Sequence, residues 1–352
     1  LKILHTADVH LREPGDERWQ ALEEILEVGE KEKIDFLVIS GDLFDTENIG
    51  DQLRPRIGNL FSGHDYRILI IPGNHDKNVF EQGYYFGDSV HVFRKLEESL
   101  ELDNLKIWGF PFTDLRGPEL LRQLRKIKNS DKEEKQVLLF HGELLDAFFQ
   151  RKDFGDEGST RYLPVQLSFF EGLGLDYVLA GHFHSGFRLW EIPAGGSFIY
   201  PGSPVAVTRR EIGPRKVNLL DLDEGPREIE LKSAFFQQVE VKINPLQEEN
   251  PVYQVEKRLT ALPKNAVPLL EVSGYIDSNR IGKTEDMVIN EMKSLARRFC
   301  LEENISIELR DVGTILQDDL FKAFEDKLEK VDYPDRKNLW ELALQARLEV
   351  RR

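Results

Sequence analysis

The sequence predicts an α/β protein of more than one domain, and three observations point there. Short apolar runs alternate with helical patterns as far as residue 232, which is the signature of layered strands and helices. Histidines stand beside aspartate, asparagine or glycine directly after several of those runs. Beyond residue 233 the alternation simplifies, and residues 313–352 carry helical stripes alone. A length of 352 residues exceeds one ordinary domain, so the expected division is 1–232, 233–312 and 313–352.

In chain order, strands are expected at Lys2 to Thr6, Phe36 to Ser40, Arg67 to Ile71, Leu105 to Gly109, Gln136 to Phe140, Tyr177 to Ala180, Ser197 to Tyr200 and Lys216 to Asp221. Between them Trp19, Leu22, Ile25 and Leu26 recur at helical spacing, as do Leu53, Ile57 and Leu60, and Leu120, Leu121, Leu124 and Ile127. These stripes face a core and imply no chemistry. The second region reads as strand (Gln238 to Ile243), helix (Val252 to Leu262), strand (Leu269 to Tyr275), helix (Glu285 to Phe299) and strand (Ile305 to Leu309), a small α+β domain. In the last region Leu316, Leu320, Phe324 and Leu328 share one helical face, and Leu339, Leu342, Ala343 and Ala346 another. Asp332-Tyr333-Pro334-Asp335 breaks the two, so a helical hairpin is expected.

Composition excludes several classes of function. Against 47 Lys+Arg stand 63 Asp+Glu, a net charge of −16. Sequence-independent affinity for nucleic acid comes from neutralising phosphates, so this chain does not coat DNA, and any polyanion must be held locally. No apolar run approaches the roughly 20 residues that cross a bilayer, so no membrane partner is expected. The stretch Leu1 to Asp8 turns polar before an apolar signal region could form, and the expected location is cytoplasmic. Cys300 is the only cysteine, which excludes an intrachain disulfide or a thiolate-metal framework and fits a reducing compartment. It sits in a helical pattern and reads as a small buried hydrophobe.

The chemistry lies in five clusters: Asp8-Val9-His10, Gly41-Asp42-Leu43-Phe44-Asp45, Gly73-Asn74-His75-Asp76, Phe140-His141-Gly142 and Gly181-His182-Phe183-His184. Each follows an apolar strand, and in open α/β sheets the ligand crevice lies beyond the carboxyl ends of the strands. Residues i and i+2 of an extended chain point the same way, so Asp8 with His10, and His182 with His184, can converge. Carboxylate, amide and imidazole donors with one bridging carboxylate suit two divalent ions.

These five motifs, in this order, resemble the calcineurin-like metallophosphoesterase superfamily. Lys2-Ile3-Leu4-His5-Thr6-Ala7-Asp8-Val9-His10-Leu11, Gly41-Asp42-Leu43-Phe44-Asp45-Thr46 and Tyr200-Pro201-Gly202-Ser203-Pro204 resemble its SbcD-type branch, the nuclease subunits of double-strand-break processing complexes. The resemblance implies a four-layer αββα sandwich with a small α+β capping domain that touches DNA and a C-terminal helical hairpin. It implies two divalent metal ions, manganese foremost. Asp8, His10 and His184 would hold one ion, Asp42 would bridge, and Asn74, His141 and His182 would hold the second. His75 would be the acid that protonates the leaving 3′-oxygen, with Asp76 orienting its imidazole. Partners implied are DNA, an SMC-like ATPase of the SbcC type and a second copy of the chain in a homodimer. Asp45 stands where many double-strand-break nucleases have histidine, Val9 where tryptophan is frequent, and neither departure removes a ligand.

Other features have two readings. Arg209, Arg210, Arg215 and Lys216 surround Glu211 and form either a DNA-backbone contact or an exposed hairpin turn. Arg12 reads as a surface arginine beside the first motif, and His5, His64 and His91 as structural or exposed. The C-terminal hairpin either docks an ATPase or folds back on its own chain. The leading expectation is a metal-dependent DNA exonuclease and endonuclease. The alternatives are a metallophosphoesterase for a small phosphodiester or phosphoprotein, and a non-enzymatic ATPase-binding scaffold.

Overall fold

A computed structural model describes residues 1–81, 83–102, 104–127, 134–147, 162–330 and 336–350. The chain divides into two compact units, Leu1–Phe236 and Gln237–Arg352.

The first unit runs β1 (Lys2–Thr6), α1 (Glu17–Glu32), β2 (Phe36–Ser40), α2 (Glu47–Leu60), β3 (Arg67–Ile71), β4 (Val90–Val92), β5 (Glu98–Leu102), β6 (Leu105–Phe110), α3 (Gly117–Leu124), β7 (Lys135–His141), β8 (Tyr177–Gly181), β9 (Arg188–Glu191), β10 (Ser197–Tyr200), β11 (Lys216–Asp221) and β12 (Gly225–Glu230). They form two six-stranded sheets, ordered β12-β11-β1-β2-β3-β4 and β5-β6-β7-β8-β10-β9. Within the first, β1, β2, β3 and β4 are parallel neighbours. Within the second, β6, β7, β8 and β10 are likewise parallel.

Alternation along each strand creates the layers. Ile3, Val38, Leu69 and Leu220 of the first sheet meet Ile107, Val137, Leu139 and Leu179 of the second in one buried cluster between the sheets. The intervening residues Leu4, Leu37, Ile39, Ile68 and Ile70 face outward onto Leu22, Ile25 and Leu26 of α1 and Leu53 and Ile57 of α2. Leu138, Phe140 and Val178 face the other way, onto Leu120 and Leu124 of α3. The result is the αββα order of layers that the resemblance implied. Burial of each such aliphatic side chain contributes about 1.5–3 kcal/mol, so this central layer holds the two sheets in a fixed relation.

All eight strands anticipated in this unit are present. The four that hydrophobic runs do not mark, β4, β5, β9 and β12, are the four sheet edges. Three of them carry charge, as in Glu98, Glu101, Arg188, Glu191, Arg227, Glu228 and Glu230, and β4 is only three residues long. Charged edges resist pairing with other chains, and the same charges erase the apolar run that betrays a strand.

In the second unit follow β13 (Phe235–Ile243), α4 (Pro251–Thr260), β14 (Ala266–Ile276), α5 (Ser278–Ile281), α6 (Glu285–Ala296), β15 (Ile305–Asp311), α7 (Gly313–Leu316), α8 (Asp319–Lys330) and α9 (Arg336–Val350). A three-stranded sheet, β13-β14-β15, packs Val241, Val272 and Leu309 against Val255 and Leu259 of α4 and Val288 and Met292 of α6. Cys300 is buried in the same cluster.

The C-terminal helices group with this unit instead of standing apart. Val312, Ile315, Phe321, Trp340 and Leu344 form a small core against which Tyr275 of β14 packs. Trp340 Nε1 donates to Glu325 at 2.7 Å, and Lys242 Nζ donates to Glu341 at 2.7 Å. Leu320, Leu339 and Leu342 remain exposed. The break expected at Asp332-Tyr333-Pro334-Asp335 lies outside the described residues. No helix among the described residues is long and apolar enough to cross a membrane.

Candidate metal centre

The five motifs lie at the carboxyl ends of parallel strands: Asp8 and His10 after β1, Asp42 after β2, Asn74 and His75 after β3, His141 as the last residue of β7, and His182 and His184 after β8. Four of these residues have positive φ, namely Asp8 (55°), His10 (51°), Asp42 (51°) and His182 (101°). Such conformations cost about 1–3 kcal/mol each for a residue with a side chain and persist only where surroundings enforce them. Here the loops after β1 and β2 are laced together. Asp8 N donates to Gly41 O at 3.1 Å, His10 N to Asp42 O at 3.0 Å and Leu11 N to Leu43 O at 2.9 Å.

Glycines admit the close approach of one loop to the next. A Cβ on Gly41, whose φ is +91°, would lie 2.1 Å from His141 Nδ1. One on Gly73 would lie 2.1 Å from Asp42 Oδ1 and 2.4 Å from its backbone nitrogen.

Three groups of donors result. Ligand atoms of Asp8, His10 and His184 lie within 4.8 Å of one another, and the same is true of His10, Asp42 and His75 and of Asp42, His141 and His182. His10 and Asp42 each belong to two groups, so the three form one continuous cluster. Asn74 joins it, its Oδ1 2.9 Å from His141 Nε2. Nε2 atoms of His10 and His184 face each other at 3.3 Å. The donors are hard oxygens and imidazole nitrogens, which suit divalent first-row cations.

Behind three of the histidines the other ring nitrogen faces an oxygen, at hydrogen-bond distance for His141 and at longer, ion-pair distance for His10 and His184. His141 Nδ1 lies 2.8 Å from Ser40 O, His10 Nδ1 3.8 Å from Asp45 Oδ1, and His184 Nδ1 3.7 Å from Glu211 Oε1. An oxygen behind the ring favours a proton on that nitrogen and turns the Nε2 lone pair toward the cluster. Buried charge is concentrated in the cluster. Burial lifts the Asp8 carboxyl above its usual range, and burial with the nearby Asp42 charge does the same to Asp76. Burial also works against ionised Asp42, but His141 at 3.2 Å outweighs it and holds that carboxyl low. For His141 the Asp42 carboxylate likewise overcomes burial and raises the imidazole to about 9. Buried carboxylates that share a few protons form a centre that a cation can occupy with gain.

Two expectations need correction. Asp76 does not orient His75: its carboxylate accepts from Gly73 N at 2.8 Å and Phe44 N at 3.1 Å, bracing the loop. The group facing His75 Nδ1 is the carbonyl oxygen of Asp45, at 2.9 Å. Arg215 is not a DNA contact, being 1% exposed with its guanidinium donating to His184 O and Ser185 O. Lys216 is half-buried on β11 and paired with Glu228. Arg209 and Arg210 are exposed. The links of Asp45, a residue of the second motif, and the role of Glu211 are not evident from the sequence. Asp45 links Arg12, Arg18 and His10, and Glu211, placed in a basic surface turn, is fully buried behind His184. The apolar Val205-Ala206-Val207 just before Glu211 is the one sequence signal of that burial.

The sequence profile of the calcineurin-like phosphoesterase family matches residues 1–186. The chain belongs to that family. Membership makes this calcineurin-like phosphoesterase a metal-dependent hydrolase of phosphate esters, in keeping with the donor cluster. Individual relatives are distant. The chain is 24% identical over 304 residues to the uncharacterized metallophosphoesterase YhaO of Bacillus subtilis, covering 76% of this chain and 70% of the relative. It is 25% identical over 264 residues to a subunit of the nuclease SbcCD from Staphylococcus epidermidis, covering 63% and 66% respectively. It is 22% identical over 312 residues to the DNA double-strand break repair protein Mre11 of Thermoplasma acidophilum, covering 79% and 78%.

Proposed function

We propose that this phosphoesterase is a DNA nuclease that cleaves phosphodiester bonds with two divalent ions, manganese foremost. The observation that carries the reading is the placement of His75 in the same cluster as His10 and Asp42, with its backbone nitrogen bonded to Asp42 Oδ1 at 2.9 Å. The nuclease and break-repair names of two distant relatives support DNA as the substrate.

Asp8, His10 and His184 would hold one ion, Asn74, His141 and His182 the other, with Asp42 between them. When bound, the ions would activate a water nucleophile and screen the phosphoryl charge. His75 supplies the proton for the leaving 3′-oxygen. Asp45 O fixes its Nδ1, so Nε2 would be the nitrogen that meets the leaving oxygen. A cleft of about 330 Å³ lined by Asp45, Thr46, Glu47, Asn48 and His75 gives a substrate access to that ring.

Labelled single- and double-stranded DNA, incubated with and without manganese, tests the reading. Manganese-dependent cleavage of either strand form is expected. Hydrolysis of a small chromogenic diester with none of DNA would favour the small-substrate alternative.

The partners follow as part of the same proposal. An SMC-like ATPase would contact the outward Leu320, Leu339 and Leu342, and two copies would pair in the cytoplasm. Co-purification of the ATPase with wild type but not with a Leu320→Glu/Leu342→Glu variant would support that contact, and equal capture would refute it.

A further inference from the structure

We propose that Glu211 is a positioning residue for His184, at the centre of a buried polar clamp made with Ser203 and Arg215. The inference rests on the metal-centre reading above. All three side chains are sealed from solvent, Ser203 and Arg215 at 1% exposure and Glu211 at 0%. They belong to the segment 203–215, which the sequence presents as a basic turn.

His184 is gripped at two places. Its carbonyl oxygen accepts from Ser203 N and from Arg215 Nη1, both at 3.2 Å, while Arg215 Nη2 ties the adjacent Ser185 O at 2.8 Å. Its ring nitrogen Nδ1 faces Glu211 Oε1 at 3.7 Å. The carboxylate is itself immobilised: Oε2 accepts from Val207 N at 2.8 Å and lies 3.2 Å from Ser203 Oγ. Oε1 accepts from Thr208 N at 3.1 Å and lies 3.2 Å from Thr208 Oγ1. Arg215 Nη1 stands 3.5 Å from Oε2 and balances the charge.

Capping a turn requires an oxygen acceptor, and an uncharged side chain can provide one. A buried ion pair adds little stability over an apolar pair of like volume, so stability alone does not account for Glu211 and Arg215. Placement behind a metal-binding imidazole does. A fixed carboxylate 3.7 Å from Nδ1 favours a proton on that nitrogen and so directs the Nε2 lone pair to the ion, and loss of such support lowers metal affinity about ten- to a hundredfold. The carbonyl grip restrains the backbone from which the ring projects.

Calorimetric titration of the metal-free 352-residue chain with manganese, comparing wild type with Glu211→Gln, tests the proposal. Gln keeps an acceptor for the turn and removes the charged one facing His184. The expected result is one manganese site weakened about ten- to a hundredfold and the other as in wild type, with the metal-free variant folded but melting lower because Arg215 loses its buried counter-charge. Two wild-type sites in Glu211→Gln would overturn the proposal and leave Glu211 a turn cap. If that variant does not fold, Glu211→Asp, which keeps the charge and withdraws it by one methylene, decides by the same criterion. Wild type that binds no manganese would instead defeat the metal-centre reading itself.

Discussion

The carbonyl oxygen of Asp45 lies 2.9 Å from Nδ1 of His75, while the carboxylate of Asp45 reaches Arg12, Arg18 and the vicinity of His10. One residue therefore serves the proposed acid through its backbone and a proposed metal ligand through its side chain. Thr46, the next residue, caps α2 by accepting from Ile49 N, so the helix start fixes the carbonyl that holds His75.

His75→Ala should lower the rate of DNA cleavage about 10²- to 10⁴-fold, the usual worth of a positioned acid. Manganese bound per chain should stay at the wild-type value, because His75 is proposed as an acid and not as a ligand. Parallel rate and metal-content measurements check this, and a variant with the full rate would remove His75 from the mechanism.

Replacing Asp45 by Ala separates the two roles, since the carbonyl survives the substitution. The guanidinium of Arg18, 6% exposed, loses its carboxylate at 3.2 Å and keeps the carbonyl of His10 at 2.6 Å. Leaving a buried charged donor short of a partner costs about 1–3 kcal/mol, which denaturant unfolding can resolve. An unfolding curve that overlays wild type would contradict the assignment.

Gly73→Ala should disable the centre without touching a ligand. The new methyl would overlap both the Asp42 carboxylate and its backbone nitrogen, so the loop after β2 or β3 must move. Manganese titration should show both sites weakened, because Asp42 is shared between groups. Two unaltered sites would show that the loops yield without consequence.

His5 predicts a pH dependence of stability. Its ring is fully buried in β1, opposite Asn218 in β11, and burial lowers its pKa from 6.5 to about 3. Between those values the unfolded chain binds a proton that the folded chain does not. Stability contributed by the neutral ring is thus complete above pH 6.5 and declines as pH falls toward 3, by up to about 1.4 kcal/mol per unit. The difference in unfolding free energy between metal-free wild type and His5→Leu should change with pH from 6 to 5 and stay constant from 8 to 7. Parallel curves across both ranges would refute the prediction.

The interior of the sandwich was legible because its strands are buried on both faces and read as unbroken apolar runs, as in Phe36–Ser40 and Arg67–Ile71. Edge strands were not, since a sequence such as Glu98–Leu102 alternates charge with leucine over too short a span to stand out. At the centre, motif residues were readable because each directly follows a strand. Supporting residues were not: Glu211 is 27 positions from His184 in sequence, and its burial follows from how the chain turns after β10. Nor does spacing reveal that the Asp76 carboxylate turns to Gly73 and Phe44 and away from its neighbour His75.

Each donor group draws on more than one strand end, and two of the three span the sandwich. Asp8 and His10 come from the first sheet and His184 from the second; Asp42 comes from the first, and His141 and His182 from the second. Ions held there would rivet the sheets together at the carboxyl ends of their parallel strands. Separating the sheets would then require releasing the ions, so the folded population rises with free metal concentration and chelation loosens the whole unit. Supply of metal would set how long this protein lasts as well as how fast it works.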